Sequence, residues 1–337
     1  MQRNCKNSIL SYCGHDGASF FLSCRSFRDW RTSLEFYRGV GRRAKLKKLL
    51  CLLAYPWVKF RADRDIDSVR QEISEVLHVP PPEIPPDAPF SALISMTRDK
   101  AVIHFHGRGY LKITSGDSFP EVTTELAIYQ LLAEKNPRSF DFSRCGQFVH
   151  ASEYVSFFME YAPGRHYANR HPEISTLLDV LHEFFSLTPS RERPWSELWS
   201  ELDMRELTGF LPEDFKVGST PVGLVHRDFK PWNVKAGDKP LIYDFESASY
   251  RGCPLEDFFN YLVDPWLRLL SPAEVHRRIK GRYWKMAEDF LVRMGLSSSE
   301  TLRYWCWYLA ERVNFWRRHK QPNFADNFVE LFKLSCR

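Results

Sequence analysis

One stretch of this sequence constrains its fold and chemistry more than any other. Leu224–Val234 reads Leu-Val-His-Arg-Asp-Phe-Lys-Pro-Trp-Asn-Val, and the nearby Leu241–Glu246 reads Leu-Ile-Tyr-Asp-Phe-Glu. Asp228 is followed five positions later by Asn233, and Asp244 ends an apolar, strand-like run. Phosphoryl transfer needs few protein groups: a carboxylate that orients and deprotonates the attacking hydroxyl, and oxygen ligands for magnesium. These three residues supply both.

The same residues also have an ordinary structural explanation. Asp228 and Asn233 are common turn residues, and Asp244 is a plausible cap at the end of a strand. We favour the chemical interpretation because all three occur together in one register. His226 is expected to brace the loop through backbone hydrogen bonds rather than to take part in the chemistry.

The stretch resembles the protein-kinase-like superfamily, and most closely its branch of aminoglycoside phosphotransferases, choline kinases and related small-molecule kinases. The resemblance implies an α+β, bilobal protein-kinase-like fold with a small β-rich N-lobe and a larger α-helical C-lobe. It implies ATP as phosphoryl donor, with Asp228 as catalytic base and Lys230 as a contact for the γ-phosphate. Asn233 and Asp244 would hold Mg²⁺.

Other parts of the family pattern match more locally. Tyr110–Ile113 resembles the third strand of the N-lobe, so Lys112 would pair with the α- and β-phosphates. Glu125 in the following helix would hold that lysine, with Glu121 as the alternative partner. The resemblance also implies that adenine bonds to the backbone of a hinge, around Glu160 and Ala162.

Two departures narrow the function. The chain has no G-x-G-x-x-G loop: Gly107 and Gly109 are expected in the turn between the second and third strands, and the phosphate-covering turn Thr97–Lys100 lacks glycine. Only a short interval separates Asp244 from Asp257, and no Ala-Pro-Glu follows. A small-molecule or sugar acceptor is therefore favoured. The alternatives are a pseudokinase that binds without turnover and a protein Ser/Thr kinase. Asp257 is expected to brace the catalytic loop.

Composition sets broad limits. The chain has 337 residues, 44% hydrophobic and 26% charged, which predicts a globular protein of two lobes. A net charge of +5 over this length does not indicate a nucleic-acid partner. The eight cysteines form no C-x-x-C pair, which favours a reducing, cytoplasmic location. No stretch has the pattern of a signal peptide or a membrane span.

Proline sets the expected division of the chain. Five prolines between His78 and Asp87 exclude helix or central strand there. We therefore expect an N-terminal extension over residues 1–87, an N-lobe over 88–161 and a C-lobe over 162–337. Short strands are expected at 91–96, 101–106 and 110–114, then a helix, then a buried strand at 154–161. Helices are expected to dominate the C-lobe.

Within the extension, residues 41–60 predict a short basic amphipathic helix that ends before Pro56. Such a helix can lie on an anionic membrane surface, here the inner face, near a cell-envelope glycan or its precursor as acceptor. The alternative is a helix packed on its own protein with a solvated basic edge, which is the more frequent case.

The last third of the chain is helical and aromatic, and the resemblance implies that it binds the acceptor. Most of these aromatic residues are expected in the core. Four arginines could line a pocket for an anionic sugar or form a solvated helix face: Arg303, Arg312, Arg317 and Arg318. The sequence does not determine the acceptor, the choice of ATP over GTP or the oligomeric state.

Overall fold

The computed structural model describes residues 9–13, 18–34, 42–61, 64–85, 89–95, 99–116, 119–160, 165–166 and 173–336. The chain divides into two compact units. The N-terminal unit comprises Met1–Glu134 and Phe142–Pro163, and the C-terminal unit comprises Lys135–Asp141 and Gly164–Arg337. The first is built on a β-sheet and the second is mainly helical, so the expected α+β class is confirmed.

The described residues of the N-terminal unit form an antiparallel sheet of seven strands. The strands are β1 (Ile9–Cys13), β2 (Ala18–Ser23), β3 (Phe90–Ser95), β4 (Lys100–Phe105), β5 (Gly109–Ser115), β7 (Cys145–His150) and β8 (Tyr154–Glu160). Their order is β1-β2-β3-β4-β5-β8-β7. The four strands expected between residues 91 and 161 are confirmed to within about one residue at each end.

Five helices occur where the structure describes this unit: α1 (Phe27–Ser33), α2 (Arg42–Leu53), α3 (Tyr55–Arg61), α4 (Ile66–Leu77) and α5 (Phe119–Lys135). Asp65 caps the N-terminus of helix α4, and its carboxylate accepts a hydrogen bond from the Ser68 backbone N–H at 2.8 Å. Its apolar residues recur every three or four positions, so that one stripe is buried against the sheet.

The proline segment does not separate two units. Val79 and Ile84 are buried in the same core as α4 and the sheet, and Arg70 Nε donates to the Pro82 carbonyl at 2.8 Å. The residues before it could not be assigned from sequence, and they supply β1 and β2 to the sheet through the pairing of β2 with β3. Residues 86–88 lie outside the described part.

Gly107 lies in the turn between β4 and β5, as the sequence predicts, and Gly109 is the first residue of β5. Gly107 has φ +76°, and Gly109 has φ +154°. A Cβ at Gly109 would collide with the Met159 carbonyl oxygen on β8. Glycine therefore lets β5 pair closely with β8, which fixes the register of Lys112 opposite Phe157.

In the C-terminal unit, residues 173–336 form seven α-helices: α6 (Leu178–Ser186), α7 (Trp195–Ser200), α8 (Glu256–Leu267), α9 (Pro272–Arg278), α10 (Trp284–Arg293), α11 (Thr301–Arg318) and α12 (Pro322–Ser335). Short strands complete it: β6 (Asp141–Phe142), β9 (Arg165–His166), β10 (Arg191–Pro194), β11 (Ser219–Val225), β12 (Val234–Ala236), β13 (Leu241–Ile242) and β14 (Ser249–Gly252). They form sheets of order β10-β11-β14 and β6-β13-β12-β9.

Helix α11 forms the centre of the C-terminal core. Its residues Tyr304, Trp305, Trp307 and Tyr308 are all buried, as expected for most of the aromatic residues. Trp305 and Tyr308 both pack on Phe259 of α8, with ring centroids 4.7 Å and 5.7 Å away. Among the described residues, no helix combines the length and apolarity needed to span a membrane.

Candidate active site

Lys112 and Glu125 form a buried ion pair in the N-terminal unit. Lys112 lies on β5 and Glu125 one turn inside α5, and the lysine Nζ is 2.7 Å from both carboxylate oxygens. The two side chains are 6% and 0% exposed. Glu121, the alternative partner, is exposed in the first turn of α5. The structure thus brings together the two residues that the sequence had selected.

The loop His226–Asn233, which matches the catalytic loop of kinases in sequence, begins where β11 ends. Its backbone is held by several hydrogen bonds. Arg227 has φ +60°, which is uncommon for a residue with a side chain. The Asp257 carboxylate accepts from the backbone N–H of His226 at 2.6 Å and of Arg227 at 2.8 Å, and the Asn260 amide donates to the Arg227 carbonyl. These bonds hold a strained backbone in place.

His226 has the bracing position expected from the sequence. Its ring is buried, its Nε2 lies 3.1 Å from the Tyr243 carbonyl oxygen, and its Nδ1 accepts the Asp228 backbone N–H at 3.3 Å. Burial lowers the pKa of His226, so the neutral ring is favoured. A neutral ring with Nδ1 as acceptor donates from Nε2 and links the loop to the Asp244 segment.

A second support passes through the Arg227 side chain, and the sequence pattern did not predict it. The guanidinium donates from Nε to Glu256 of α8 at 2.9 Å and pairs with Glu311 of α11. Arg312, fully buried, pairs with Glu311 at 2.6 Å and donates to the Arg227 carbonyl at 3.2 Å. Such a network depends on long-range packing, so spacing within the sequence carried no sign of it.

Asp228 is held by two neighbours that the sequence had named. Asn233 Nδ2 donates to Asp228 Oδ2 at 2.8 Å and to its carbonyl at 2.9 Å. The Lys230 ammonium pairs with Asp228 Oδ1, and the Asp228 side chain is 24% exposed. Burial raises the pKa of Asp228, and the Lys230 charge opposes that shift. A raised pKa suits a carboxylate that accepts a proton near neutral pH.

The donor set fits the magnesium role that the resemblance implies. Because Asn233 donates from its amide nitrogen to Asp228, its amide oxygen is left over, and it accepts no hydrogen bond from the described residues. Asp244 follows β13 with φ +71° and is half-buried. Carboxylate and amide oxygens are the ligands that a hard cation prefers.

The hinge is described only in part. Glu160 ends β8, is exposed, and donates its backbone N–H to the Arg144 carbonyl at 2.9 Å. Ala162 lies outside the described residues, as do Thr97 and Arg98 of the phosphate-covering turn.

The four arginines considered for an acceptor pocket have other contacts. Arg303 donates to the carbonyls of Val217 and Asp214, and Arg317 pairs with Glu206 and Asp326. Arg312 is buried in the support of Arg227. Arg318 donates to the Asn314 carbonyl within α11 at 3.4 Å. The sequence pattern did not single out a different arginine, Arg268, at the end of α8. Arg268 and Lys230 both pair with the carboxylate of Asp264.

Comparison with known proteins gave matches only among solved structures. No family model matches the chain, and no curated protein matches it. The structure of the GDP complex of aminoglycoside 2'-phosphotransferase-IIIa is 11% identical, with a TM-score of 0.44 over 71% of this chain and 89% of that chain.

Two further solved structures match this chain with similar identity and TM-score. A thermostable mutant of aminoglycoside phosphotransferase APH(4)-Ia, in a ternary complex with ADP and hygromycin B, is 13% identical, with a TM-score of 0.46 over 80% of this chain and 98% of that chain. A putative fructosamine-3-kinase from Haemophilus somnus 129PT is 14% identical, with a TM-score of 0.44 over 80% and 95%. At these identities the likeness assigns no activity or substrate to this chain.

Proposed function

We propose that this protein transfers the γ-phosphoryl group of ATP to a hydroxyl of a small molecule or sugar, in the presence of Mg²⁺. The observation that carries the proposal is the geometry around Asp228. A partly exposed carboxylate is oriented by Asn233 and Lys230 on a loop whose strained backbone is fixed by Asp257. A binding module needs none of these restraints, since binding alone requires no base.

Each residue has a distinct role in this proposal. Asp228 orients the acceptor hydroxyl and takes its proton, while Lys230 neutralises charge on the transferred group. Asn233 and Asp244 would hold magnesium, which neutralises the phosphate oxygens when it is bound. Lys112, positioned by Glu125, would pair with the nucleotide phosphates, and the backbone near Glu160 would bind the base.

The acceptor is proposed to be small because the described interval after Asp244 offers no platform for a protein substrate. Between Asp244 and the start of α8 at Glu256 lie only one turn of 3₁₀ helix and the short strand β14. This interval leaves no long activation segment, which argues against a protein Ser/Thr kinase.

The test is magnesium-dependent ATP turnover over pooled sugars, amino alcohols, aminoglycosides and glycolipid extracts. Asp228→Asn should lower the stimulated rate at least about a hundredfold, the usual contribution of a general base. Asp238→Asn, in the exposed turn after β12, is the matched control and should keep full activity. If no pool stimulates turnover while nucleotide still binds, the protein is a pseudokinase instead.

We also propose that α2 and α3 contact an anionic membrane surface, where a glycan or its precursor would be the acceptor. One side of these helices is fixed to the protein: Cys51, Leu52, Tyr55 and Val58 pack on a core that contains Trp30. The other side exposes five large apolar side chains, between 51% and 78% accessible: Leu46, Leu49, Leu50, Leu53 and Trp57.

The spacing of these exposed residues makes one continuous apolar stripe. The amphipathic helix expected from the sequence is therefore apolar on two sides. Residues 42–62 contain seven basic and no acidic residues, which matches an anionic surface. The side chains of residues 42–45 and 59–61 lie outside the described part, as does Gly41.

Vesicle sedimentation tests this contact. Vesicles of phosphatidylcholine with phosphatidylglycerol should bind the protein, and pure phosphatidylcholine should bind it weakly. Leu50→Gln with Leu53→Gln should reduce binding at least about tenfold, because each leucine contributes more than 1 kcal/mol when buried. Val292→Gln, an exposed apolar residue on α10, is the control. If the protein is instead a dimer that the double variant dissociates, the stripe binds a second copy.

A further inference from the structure

A chain of alternating charges leads away from Asp228 within the C-terminal unit. Lys230 pairs with Asp228 and also lies 3.3 Å from Oδ2 of Asp264. Arg268 donates its Nε to Oδ1 of the same Asp264 at 3.1 Å. Asp264 is completely buried, so its carboxylate is shared by two cations rather than solvated. Arg268 is thereby placed three ionic contacts from the proposed base, through Asp264 and Lys230.

Aromatic rings line the same place. The Lys230 Nζ is 5.6 Å from the ring centroids of both Trp232 and Trp316. The Arg268 guanidinium carbon is 5.8 Å from the same two rings and 5.0 Å from that of Phe324. Three elements therefore meet here: the catalytic loop, the end of α8 and the junction of α11 with α12.

Arg268 differs from Lys230 in its exposure and in its unused donors. The Lys230 side chain is 5% exposed, whereas that of Arg268 is 41% exposed. Only Nε of Arg268 bonds to a described residue, so neither terminal nitrogen donates within the described part of the chain. A guanidinium held from behind by a carboxylate and rings, with its outer edge open, is arranged to bind an anion.

Structural roles alone do not account for this placement. A guanidinium that served only to neutralise Asp264 would gain from donating two parallel bonds, as Arg277 does to Glu274. Arg268 gives Asp264 a single bond, and its side chain is 41% exposed beside the rings. The rings in turn offer apolar faces, Trp232 and Phe324 being only half-buried.

We propose that Arg268 and the half-buried rings of Trp232 and Phe324, beside the buried ring of Trp316, form the acceptor subsite, and that the acceptor carries a carboxylate or phosphate group. The inference rests on the proposed phosphotransferase function. The acceptor places its hydroxyl at Asp228, an apolar face on the rings and its anionic group on the open edge of Arg268. A cationic amine at the same position would meet the guanidinium charge, so amino sugars are disfavoured.

Four probes of matched size test the subsite: D-glucuronate, D-glucose 1-phosphate, D-glucose and D-glucosamine. Calorimetry in the presence of magnesium and a non-hydrolysable ATP analogue measures binding directly. Both anionic probes should bind at least about tenfold more tightly than D-glucose, and D-glucosamine should bind most weakly. The carboxylate and phosphate arms distinguish a uronic acid from a sugar phosphate as the natural acceptor.

Substitutions assign the effect to Arg268. Arg268→Gln should remove the preference for the anionic probes, and Arg268→Lys should retain part of it, since lysine keeps the charge but not the fork. Arg205→Gln is the matched control, because Arg205 is an exposed arginine whose ion pair among the described residues is with Asp203. Affinity for the ATP analogue should be equal in all four proteins, wild type included.

Three results would overturn the subsite. Equal binding of all probes, or no binding of either anionic probe up to about 10 mM, refutes it. If Arg268→Gln instead lowers the affinity for the ATP analogue, Arg268 is a nucleotide contact. Turnover confined to neutral or cationic acceptors refutes the subsite and leaves the phosphotransferase intact. Binding of anionic probes without any turnover supports the subsite and argues against the phosphotransferase.

Discussion

The Lys112–Glu125 pair offers the sharpest prediction about the N-terminal unit. Glu125→Gln keeps the shape of the side chain and removes its charge, whereas Lys112→Met with Glu125→Leu replaces both charges by apolar groups. We expect the single variant to be much less stable than the double variant. Both should lose phosphoryl transfer if, as proposed, Lys112 held by Glu125 pairs with the nucleotide phosphates.

The magnitude follows from the contact distance and the burial. Two unit charges 2.7 Å apart attract by about 6 kcal/mol at an effective dielectric constant of about 20. Removing both from water offsets most of that gain, which is why apolar replacement of a whole buried pair is often neutral. Removing one partner leaves the other charge buried, which costs about 3–5 kcal/mol. Glu125→Gln should therefore destabilise the unit by about 3 kcal/mol, and the double variant by less than about 1 kcal/mol.

Hydrogen exchange followed by mass spectrometry is the suitable assay, because two units need not unfold together. Peptides from β5 and α5 should exchange about a hundredfold faster in Glu125→Gln, and near the wild-type rate in the double variant. Glu121→Gln, exposed on the same helix, is the control and should change exchange by less than about tenfold. Equal effects of the single and double variants would refute the reasoning.

The remaining predictions concern the C-terminal unit. Gly252→Ala should destabilise this unit by about 1–3 kcal/mol, because the added Cβ would lie 2.7 Å from Val225 Cβ. The control Gly209→Ala meets nothing within 4 Å and should be neutral. Urea unfolding followed by tryptophan fluorescence measures both. Burial raises the pKa of Asp257 from 3.8 to about 7. Since the folded chain then holds a proton that the unfolded chain releases, the free energy of unfolding should fall as pH rises from about 4 to 7, and Asp257→Asn should lack that slope. Asn233→Ala should raise the magnesium concentration needed for half-maximal turnover at least about tenfold, and an unchanged requirement would remove Asn233 from the metal site.

Unfolding of the C-terminal unit can be followed separately. Eight of the ten tryptophans lie in it, and only Trp30 and Trp57 lie in the N-terminal unit. A urea transition in tryptophan fluorescence therefore reports mainly on the unit that contains Gly252 and Asp257. The control Gly209→Ala lies in the same unit, so both glycine variants are read by the same signal.

The sequence by itself determined the local elements and the spacing of the candidate site. Strands β3, β4, β5 and β8 were predicted within about one residue, because alternation and turn residues act over a few positions. The pairing of Lys112 with Glu125 and the bracing position of Asp257 followed from the resemblance, and that of His226 from the local pattern. The structure places Lys112 in contact with Glu125, and both His226 and Asp257 in contact with the backbone of the loop or its neighbour.

Tertiary structure decided which distant segments meet. Residues before the prolines join the sheet through β2 and β3, some seventy positions apart, and this register depends on packing that no local pattern encodes. The predicted basic helix buries one apolar side and exposes another. The spacing of apolar residues along the sequence could not tell which side would be buried. Arg268 and Lys230 come close because both pair with the buried Asp264 of α8. Spacing along the chain fixes neighbours three or four residues away, whereas a buried carboxylate selects its partners from the whole fold.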